Sequence, residues 1–399
     1  MHEELERMVT GRRISFFSED FQKHSREIRR KLENSRILVV GAAGSIGSAV
    51  VKLLVQFPLK TLVLIDINEN NLVEVVRDLR STERIIMPGD FQTLPIGIGS
   101  LEFSKYMKSS GELDYIFNFS ALKHVRSEKD PYSLMRMIDT NVVFFNDLLC
   151  LLEHKKPKKI FSVSSDKAAN PANLMGATKI LMEEALLYHS SVLPFSTSRF
   201  ANVAFSAGSL LEGFIQRFNK KQPLAAPVDI KRYFISHEEA SHLCLMASVL
   251  GDNRDIYFPL FTSGSDEIYF SDIAKIFLKN KKYESFTAES EEQAKAVLKE
   301  LIPKGKWPCY FFKSDTTGEK AYEEFFTNGD QIDRNKYNKI GVIKNKRSDG
   351  FERFEEFLET IKDIKKRHTW AKDTIAQALK KAVPTLIHKE TYKNLDQRM

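Results

Sequence analysis

Two adjacent residues, Asp166 and Lys167, are the strongest candidates for acid–base chemistry in this chain. They follow the apolar run Lys159–Val163 and two serines, so they lie just after a predicted buried strand. A carboxyl group beside an amine can serve as proton donor and proton acceptor if its surroundings raise the acid's pKa and depress the lysine's. Open α/β sheets hold their ligands at the carboxyl ends of strands, which favours a site here. A plain alternative is that the pair merely caps the next helix.

A second candidate site is the glycine-rich turn Gly41-Ala42-Ala43-Gly44-Ser45-Ile46-Gly47, which follows an apolar run and opens a helical pattern. Glycines at this spacing permit a tight turn and let backbone N–H groups approach a pyrophosphate at the helix N-terminus. Asp66 ends the next predicted strand, nineteen residues after Gly47. A carboxylate there accepts hydrogen bonds from a ribose and repels a 2′-phosphate. Because no arginine follows at Ile67 or Asn68, the pattern predicts NAD rather than NADP.

The elements that must position these residues alternate along the first half of the chain. Strands are predicted at Ile37–Val40, Thr61–Ile65, Ile85–Met87, Tyr115–Phe117, Lys159–Val163 and Phe195–Ser198, with helical patterns between them. Such alternation predicts an α/β fold, a Rossmann doubly wound parallel sheet with right-handed crossovers. Gly89-Asp90 would end the third strand, where Asp90 could flank an adenine; a plain turn is the alternative.

The predicted domains follow from the same patterns. Residues 1–34 form an N-terminal helical extension, and residues 35–200 form the NAD-binding Rossmann domain. Residues 201–345 form a smaller substrate-binding region interleaved with that core. Residues 346–399 form an amphipathic helical tail, whose expected role is packing or oligomerisation.

Composition excludes several other classes of protein. The 399 residues include 42% hydrophobic ones, which is ordinary for a globular protein. The net charge of +7 comes from dispersed Lys and Arg among 53 acidic residues, so no nucleic-acid partner is expected and an anionic small substrate is preferred. No apolar run is long enough for a membrane span, and the charged N-terminus does not fit a secretory signal. Three scattered cysteines suit neither a disulfide framework nor a metal cluster, and a cytoplasmic location is expected.

Three further segments sharpen the functional prediction. They are Asn118–Val125, the run from Ser164 to Lys179, and Arg199–Val203 with the later Arg232-Tyr233-Phe234 and Gly318–Glu324. From about residue 10 to residue 345 the chain resembles the extended short-chain dehydrogenase/reductases. Within them it resembles the polysaccharide-biosynthesis (CapD-like) branch, typified by UDP-N-acetylglucosamine 4,6-dehydratases.

The resemblance implies a 4,6-dehydratase with bound NAD. In that reaction C4 of the sugar is oxidised, water is eliminated across C5 and C6, and hydride returns to C6. The resemblance assigns Lys167 as the base at C5 and Asp166 as the acid at the C6 hydroxyl. It also adds Ala121 and Lys179 to the NAD contacts, which are otherwise Gly41, Gly44, Ser45, Ile46, Gly47, Asp66 and Asp90.

The main departure from the superfamily lies at Met175. Lys179 is four residues further on, so the two share a helical face; in the superfamily this pair is Tyr and Lys, and the tyrosine takes the C4 hydroxyl proton. A thioether cannot act as a base, although some members of the branch carry methionine there. The hypothesis for this chain is a water held by Ser165, with Asp166 taking the proton and becoming the later acid.

The substrate contacts implied by the resemblance lie further along the chain. Asn202 and Arg232 match positions where relatives contact the diphosphate or nucleotide, and Glu319 matches a Gly-Glu-Lys motif. Thr316-Thr317 precede that motif, where relatives usually carry Arg-Pro. Lys123 and His124 could reach the sugar. The alternative for His124 is a structural role, and the alternative for Arg232 is a plain surface position.

Three functions from different classes are therefore carried forward. The first is the dehydratase acting on a nucleotide sugar, with UDP-N-acetylglucosamine as the expected substrate and a homo-oligomer as the expected assembly. The second is an NAD-dependent nucleotide-sugar epimerase, which ordinarily needs the tyrosine that Met175 replaces. The third is a non-catalytic NAD(H) or nucleotide-sugar sensor.

Overall fold

The computed structural model describes residues 2–83, 85–262, 264, 266–314 and 323–388. Its strands, in chain order, are β1 (Arg36–Val40), β2 (Thr61–Ile65), β3 (Asp90–Leu94), β4 (Tyr115–Asn118), β5 (Lys159–Val163), β6 (Phe195–Ser198), β7 (Asn202–Val203), β8 (Leu224–Pro227), β9 (Lys231–Ile235), β10 (Asp255–Pro259), β11 (Glu267–Tyr269), β12 (Glu284–Ala288), β13 (Lys306–Phe312), β14 (Ile332–Asp333) and β15 (Ile340–Ile343).

The α-helices of the described residues, in chain order, are α1 (His2–Thr10), α2 (Ser18–Leu32), α3 (Ser45–Leu54), α4 (Glu69–Ser81), α5 (Leu101–Ser109), α6 (Pro131–Ile138), α7 (Phe144–Glu153), α8 (Leu174–His189), α9 (Leu210–Asn219), α10 (His237–Leu250), α11 (Phe270–Asn280), α12 (Glu291–Ala296), α13 (Leu298–Leu301), α14 (Phe351–Lys366) and α15 (Lys372–Ala382). None of these helices is both long and apolar enough to cross a bilayer.

A nine-stranded sheet forms the centre of the fold, in the order β14-β15-β10-β6-β5-β4-β1-β2-β3. Strands β1 to β6 and β10 are parallel; at one edge β15 runs antiparallel to β10, and β14 runs antiparallel to β15. Helices cover both faces, which buries the apolar strands on both sides. The predicted α/β Rossmann fold is confirmed.

The register of the sheet brings the candidate residues to one edge. Val40 at the end of β1 pairs with Ile65 of β2 and with Asn118 of β4, and Asn118 pairs with Ser162 of β5. The glycine turn, Asp66, the segment after Asn118 and the Asp166–Lys167 pair therefore all leave the sheet at its carboxyl edge. This is the edge at which α/β folds bind ligands.

The sequence prediction is wrong about the position of the third strand. The apolar run Ile85–Met87 is not a strand, and Ile86 is 46% exposed. The strand is β3, which lies at the edge of the sheet, where only β2 pairs with it. An edge strand is not fully covered, so its sequence, Asp-Phe-Gln-Thr-Leu, shows no continuous apolar pattern.

That error also displaces Asp90. The prediction placed Asp90 at the carboxyl end of the third strand, but it is the first residue of β3 and pairs with Thr61, the first residue of β2. Its side chain is exposed at the opposite edge of the sheet from the glycine turn. The predicted adenine contact of Asp90 is therefore wrong.

The chain beyond residue 200 contributes to the central sheet as well as to separate structure. Strands β10, β14 and β15 complete the sheet, whereas β7, β9 and β11 form one small sheet and β8, β12 and β13 form another. A distinct apolar cluster lies beneath the second small sheet and includes Phe214, Phe277 and Trp307. This part of the chain therefore builds a smaller body against the carboxyl edge of the central sheet.

The helical tail packs on the core. Helices α14 and α15 contact each other, and they contact α8 and α6 of the Rossmann part. Their buried side chains belong to the same apolar cluster as the helices on that face of the sheet: Phe354, Phe357, Ile361, Ile364, Ile375 and Leu379. Of the two roles expected for the tail, the structure shows packing; oligomerisation stays a prediction.

Replacing Phe354 by alanine is expected to lower the free energy of unfolding by about 3–5 kcal/mol, because its fully buried ring would leave a cavity. Chemical denaturation followed by circular dichroism measures the change. Phe351 is 38% exposed on the same helix, so Phe351→Ala is the matched control, with an expected loss of about 0.5 kcal/mol. A loss as small for Phe354→Ala would mean that the tail docks only weakly.

Candidate active site

The glycine turn has the geometry that a bound dinucleotide requires. Gly41 has a φ of +74°, and a side-chain Cβ there would lie 2.5 Å from the Ser120 backbone nitrogen. A Cβ at Gly47 would collide with the Gly41 carbonyl oxygen, so α3 can approach the turn only because this residue is glycine. Gly44 is the exposed N-cap of α3 and has no side-chain cap. The first N–H groups of α3, which include those of Ser45 and Ile46, are thus directed to the carboxyl edge of the sheet.

Substituting Gly41 by alanine is expected to weaken NAD binding by at least about tenfold and to destabilise the fold by roughly 2 kcal/mol, because both the backbone conformation and the space forbid a methyl group. Gly44→Ala is the contrasting variant, since its nearest neighbour would lie at an ordinary 3.4 Å. Thermal melting and titration with NADH separate the two effects. Equal stability of the two variants would contradict this explanation.

Asp66 ties the second strand to the glycine turn. Its Oδ2 accepts a hydrogen bond from the Ala43 N–H at 2.9 Å, and its Oδ1 accepts one from the Asn68 N–H at 2.9 Å. The side chain is only half-buried, and each carboxylate oxygen can accept a further bond. The turn and Asp66 together therefore fit the pyrophosphate and ribose of a dinucleotide.

Helix α8 carries Met175 and Lys179 on its buried side. The helix begins after Asn173, whose side-chain oxygen accepts a hydrogen bond from the Gly176 N–H at 2.8 Å. Met175 is 3% exposed, and its thioether cannot accept a proton in place of the tyrosine hydroxyl. The Lys179 ammonium donates to the Val163 carbonyl oxygen at 3.1 Å, and burial lowers its pKa to about 8. The ammonium also donates to the Met182 sulfur at 4.0 Å, which leaves one donor for a further acceptor such as a ribose.

Asp166, Lys167 and Ser165 form one hydrogen-bonded group at the end of β5. The Ser165 hydroxyl donates to Asp166 Oδ1 at 2.7 Å, and the Lys167 ammonium donates to the same oxygen at 3.1 Å. The Asp166 side chain is only 5% exposed, whereas that of Lys167 is 32% exposed. The serine hydroxyl thus touches the carboxylate directly, and the hypothesis of a water held by Ser165 stays a prediction.

The charge on Lys167 differs from the prediction. Burial alone would lower the pKa of its ammonium group, but the carboxylates of Asp166 and Glu323 outweigh burial and raise that pKa above its ordinary value. The predicted depression of the Lys167 pKa is therefore wrong. The second carboxylate was missed, since Glu323 is far away in sequence.

Glu323 is the site residue that sequence reasoning missed. Its side chain is 3% exposed, and its oxygens accept hydrogen bonds from the Asn202 side-chain amide at 2.7 Å and the Tyr233 N–H at 2.9 Å. The Arg232 Nε lies 3.8 Å from the same carboxylate. Burial is the largest cause of a rise in the pKa of Glu323 to about 8, and the charge of Asp166 adds to it. The only sequence signal was its position in the Gly318–Glu324 segment.

Two of the residues predicted to contact the substrate, Asn202 and Arg232, thus contact Glu323. Asn202 lies on β7 and Arg232 on the adjacent β9, with Arg232 8% exposed and its Nη1 donating to the Lys231 carbonyl oxygen. Both side chains contact Glu323, on which the charges of Asp166 and Lys167 also act. The third predicted contact, Glu319, lies outside the described residues.

Lys123 and His124 lie on the other side of the site. The Lys123 ammonium donates to the Ser206 hydroxyl at 3.2 Å, and a Cβ on Gly208 would lie 2.5 Å from His124 Nε2. The neighbouring Ala207 N–H donates to the Ser45 hydroxyl at 2.9 Å. The segment 206–208 therefore joins the glycine turn to the loop after β4.

That loop, which carries Ala121, depends on another residue that sequence reasoning missed. Asn141 lies in a short π-helical stretch, Asp139–Val143, and is 2% exposed. Its side chain accepts from the Leu122 N–H and donates to the Leu122 carbonyl oxygen, at 2.8 and 2.9 Å. Irregular helical turns of this kind often occur at functional sites. The sequence signal was a buried asparagine in an otherwise apolar helical region.

The parallel sheet, the glycine turn and Asp66 together define a Rossmann-type α/β fold with a dinucleotide-binding edge. The chain belongs to the polysaccharide biosynthesis protein family, which matches residues 37–345. Its relatives identify it as a CapD-like member of the extended short-chain dehydrogenase/reductases, as the sequence analysis predicts.

Among curated relatives, an uncharacterized membrane protein of Methanocaldococcus jannaschii is 29% identical over 85% of this chain and 98% of its own length. The capsular polysaccharide biosynthesis protein CapD of Staphylococcus aureus is 28% identical over 78% of this chain. The match spans only 48% of CapD, about half its length. A UDP-glucose 4-epimerase of Rickettsia bellii is 28% identical over 65% of this chain and 79% of the epimerase.

Solved structures show the same fold. Pen from Bacillus thuringiensis has a TM-score of 0.64 at 20% identity and covers 78% of this chain and 88% of its own. The Bordetella bronchiseptica enzyme WbmF in complex with NAD+ has a TM-score of 0.51 at 21% identity, with 64% and 81% covered. The UDP-N-acetylglucosamine 4-epimerase of Methanobrevibacter ruminantium, in complex with UDP-N-acetylmuramic acid, has a TM-score of 0.53 at 17% identity, with 83% and 98% covered.

Proposed function

We propose that this protein is an NAD-dependent nucleotide-sugar 4,6-dehydratase, with UDP-N-acetylglucosamine as its substrate and a 4-keto-6-deoxy sugar as its product. The observation that carries the proposal is the hydrogen-bonded Asp166–Lys167 pair at the carboxyl end of β5, in which the Asp166 carboxylate is buried and also accepts from Ser165. An elimination of water needs an acid and a base close together, and a simple oxidation or epimerisation has no use for such a pair.

NAD would be held by the glycine turn, Asp66 and Lys179, and when bound it supplies hydride acceptance at C4 and hydride return to C6. The protein's own residues handle the protons. Ser165 passes the C4 hydroxyl proton to Asp166, which its hydroxyl touches at 2.7 Å. Asp166 then protonates the departing C6 hydroxyl, so that the proton taken from C4 leaves in the water. Lys167 in its neutral form removes the C5 proton and later returns it.

Met175 supports this assignment over the epimerase. An epimerase of this superfamily ordinarily uses a tyrosine at that position to take and return the C4 proton, and a thioether has no proton to exchange. In the route through Ser165 and Asp166, the proton from the C4 hydroxyl ends in the water that leaves. It therefore suits a reaction in which the C4 oxygen ends as a ketone.

Incubation of the purified protein with UDP-N-acetylglucosamine in D₂O, followed by mass spectrometry and NMR, tests the proposal. The expected product has lost one water, carries a keto group at C4 and holds deuterium at C5. A product of unchanged mass would establish an epimerase instead. Bound NADH without turnover of this or other nucleotide sugars would support a sensor.

The epimerase is the second candidate because several relatives are named as nucleotide-sugar 4-epimerases. Its chemistry would need a group that takes and returns the proton at C4. Ser165 with Asp166 is the group available for this in the described site. The D₂O experiment separates the two, since a 4-epimerase neither loses water nor exchanges the C5 proton.

Replacing Asp66 by alanine is expected to weaken NADH binding by about 10–100-fold and to reduce the preference for NAD over NADP, because the ribose acceptor and the charge that repels a 2′-phosphate are both lost. Fluorescence titration with NADH and NADPH measures both affinities. Glu69, exposed at the start of α4, provides the control Glu69→Ala. Unchanged NADH affinity in Asp66→Ala would place the dinucleotide elsewhere.

A further inference from the structure

The buried carboxyl group of Glu323 is not used by the mechanism above. It enters the site from the segment before β14, whereas Asp166 and Lys167 come from the turn after β5. Three protein groups hold it: the Asn202 amide, the Tyr233 N–H and, at 3.8 Å, the Arg232 guanidinium. A carboxyl group fixed this firmly and only 3% exposed has little freedom to turn away from its neighbours.

The charged groups that face Glu323 come from every element around it. The Asn170 side chain, three residues after Lys167, donates to the neighbouring Glu324 carboxylate at 3.0 Å, and the Asp166 N–H donates to the carbonyl oxygen of Phe200, two residues before Asn202. From that turn the charges of Lys167 and Asp166 act on Glu323, and the charge of Arg232 acts on it from β9. Asp166 and Glu323 are two carboxyl groups beside one ammonium group. Because Glu323 is buried and Asp166 repels its charge, the ionised form of Glu323 is disfavoured, whereas the charge of Lys167 favours it.

We propose that Glu323 is a positioning residue that sets the charge on Lys167: ionised Glu323 holds Lys167 as an ammonium group, and Glu323 carrying a proton leaves Lys167 free to become neutral. Lys167 must be neutral to take the C5 proton, so Glu323 limits the pH range in which the base works. The role in catalysis rests on the proposed dehydratase function, whereas the effect of Glu323 on the protonation of Lys167 can be tested without it.

The direction of the effect follows from proton linkage. Protonated Glu323 has no charge, so Lys167 then loses its proton as the pH rises. Glu323, whose pKa is raised to about 8, ionises near pH 8. Its negative charge then opposes the loss of the proton from Lys167. The neutral fraction of Lys167 therefore rises more slowly around pH 8, while Glu323 ionises, in the wild type than in a variant without this carboxylate.

The first test needs no substrate. The whole protein is acetylated competitively over a range of pH, and mass spectrometry follows the reactivity of the Lys167 peptide. Glu323→Gln, which keeps the size of the side chain, is expected to lower the midpoint of Lys167 labelling by ~1 pH unit or more. Glu324→Gln alters the adjacent carboxylate, which contacts Asn170, and should leave that midpoint unchanged.

The second test uses turnover, if the D₂O experiment finds it. The rate constant kcat of the wild type should rise less steeply with pH around pH 8 than that of Glu323→Gln, which should go on rising by up to about tenfold per pH unit. A Lys167 midpoint identical in wild type and Glu323→Gln would overturn the inference, as would identical pH profiles. A shifted midpoint without turnover of any nucleotide sugar would uphold it while refuting the dehydratase. Should Glu323→Gln melt abnormally, Glu323→Ala removes the same charge without adding bulk.

Discussion

Asp166→Asn is expected to lower turnover of the nucleotide sugar by roughly 10²–10⁴-fold while NAD stays bound with nearly its full affinity. An amide can still accept the hydrogen bond from Ser165, so the local structure should survive. It cannot take the C4 proton or protonate the leaving hydroxyl, so both steps lose their proton carrier. Initial rates with UDP-N-acetylglucosamine and NADH titration of the same preparation measure the two properties.

Asp90→Asn is the matched control for this variant. It makes the same chemical change at an exposed carboxylate on the opposite edge of the sheet, and it should alter neither turnover nor NADH affinity. Near-normal turnover in Asp166→Asn would refute the proton route through Asp166. Loss of NADH binding in that variant would instead mean that Asp166 supports the dinucleotide site.

Arg199→Leu should be among the most destabilising single substitutions, lowering the free energy of unfolding by about 3–5 kcal/mol. The Arg199 guanidinium donates to both carboxylate oxygens of Glu183, at 2.9 and 2.5 Å, and both side chains are almost fully buried. Removing the arginine leaves a buried carboxylate whose remaining side-chain donor is the Ser164 hydroxyl. Urea denaturation monitored by circular dichroism measures the loss.

Two controls separate charge from packing in that result. The exposed pair Arg77 and Glu74 has side chains 69% and 67% exposed, so Arg77→Leu should cost about 1 kcal/mol or less. The double variant Arg199→Leu with Glu183→Leu should be more stable than Arg199→Leu alone, because no unpaired charge remains. A single-variant loss below about 1 kcal/mol would show that water reaches Glu183.

The same arginine connects stability to the active site. Its Nη1 donates to the Phe325 carbonyl oxygen at 2.9 Å, two residues after Glu323. Glu183 also lies one helical turn after Lys179 on α8, where its charge acts on the Lys179 ammonium. Arg199→Leu is therefore expected to disturb both the lysine beside the dinucleotide site and the carboxyl group beside Lys167.

The sequence by itself determined the central strands and the residues that follow them. The parallel strands β2, β5 and β6 were predicted with the bounds that the structure has. Strand β2 is apolar after Thr61, as a strand buried on both faces usually is, whereas β6 is Phe-Ser-Thr-Ser and is buried all the same. Residues that directly follow such strands must lie at one edge of the sheet. The glycine turn, Asp66 and the Asp166–Lys167 pair could therefore be placed together without any tertiary contact being known.

Only the tertiary structure decided what surrounds those residues. Strand β3 is an edge strand that is not fully covered, so no apolar run marked it and Asp90 was assigned to the wrong edge. Glu323 reaches Lys167 from a distant segment, and its charge reverses the shift that burial alone would give the lysine's pKa. A hydrophobic pattern reports whether a residue is covered but not by what, whereas a pKa depends on which charges lie within a few ångströms.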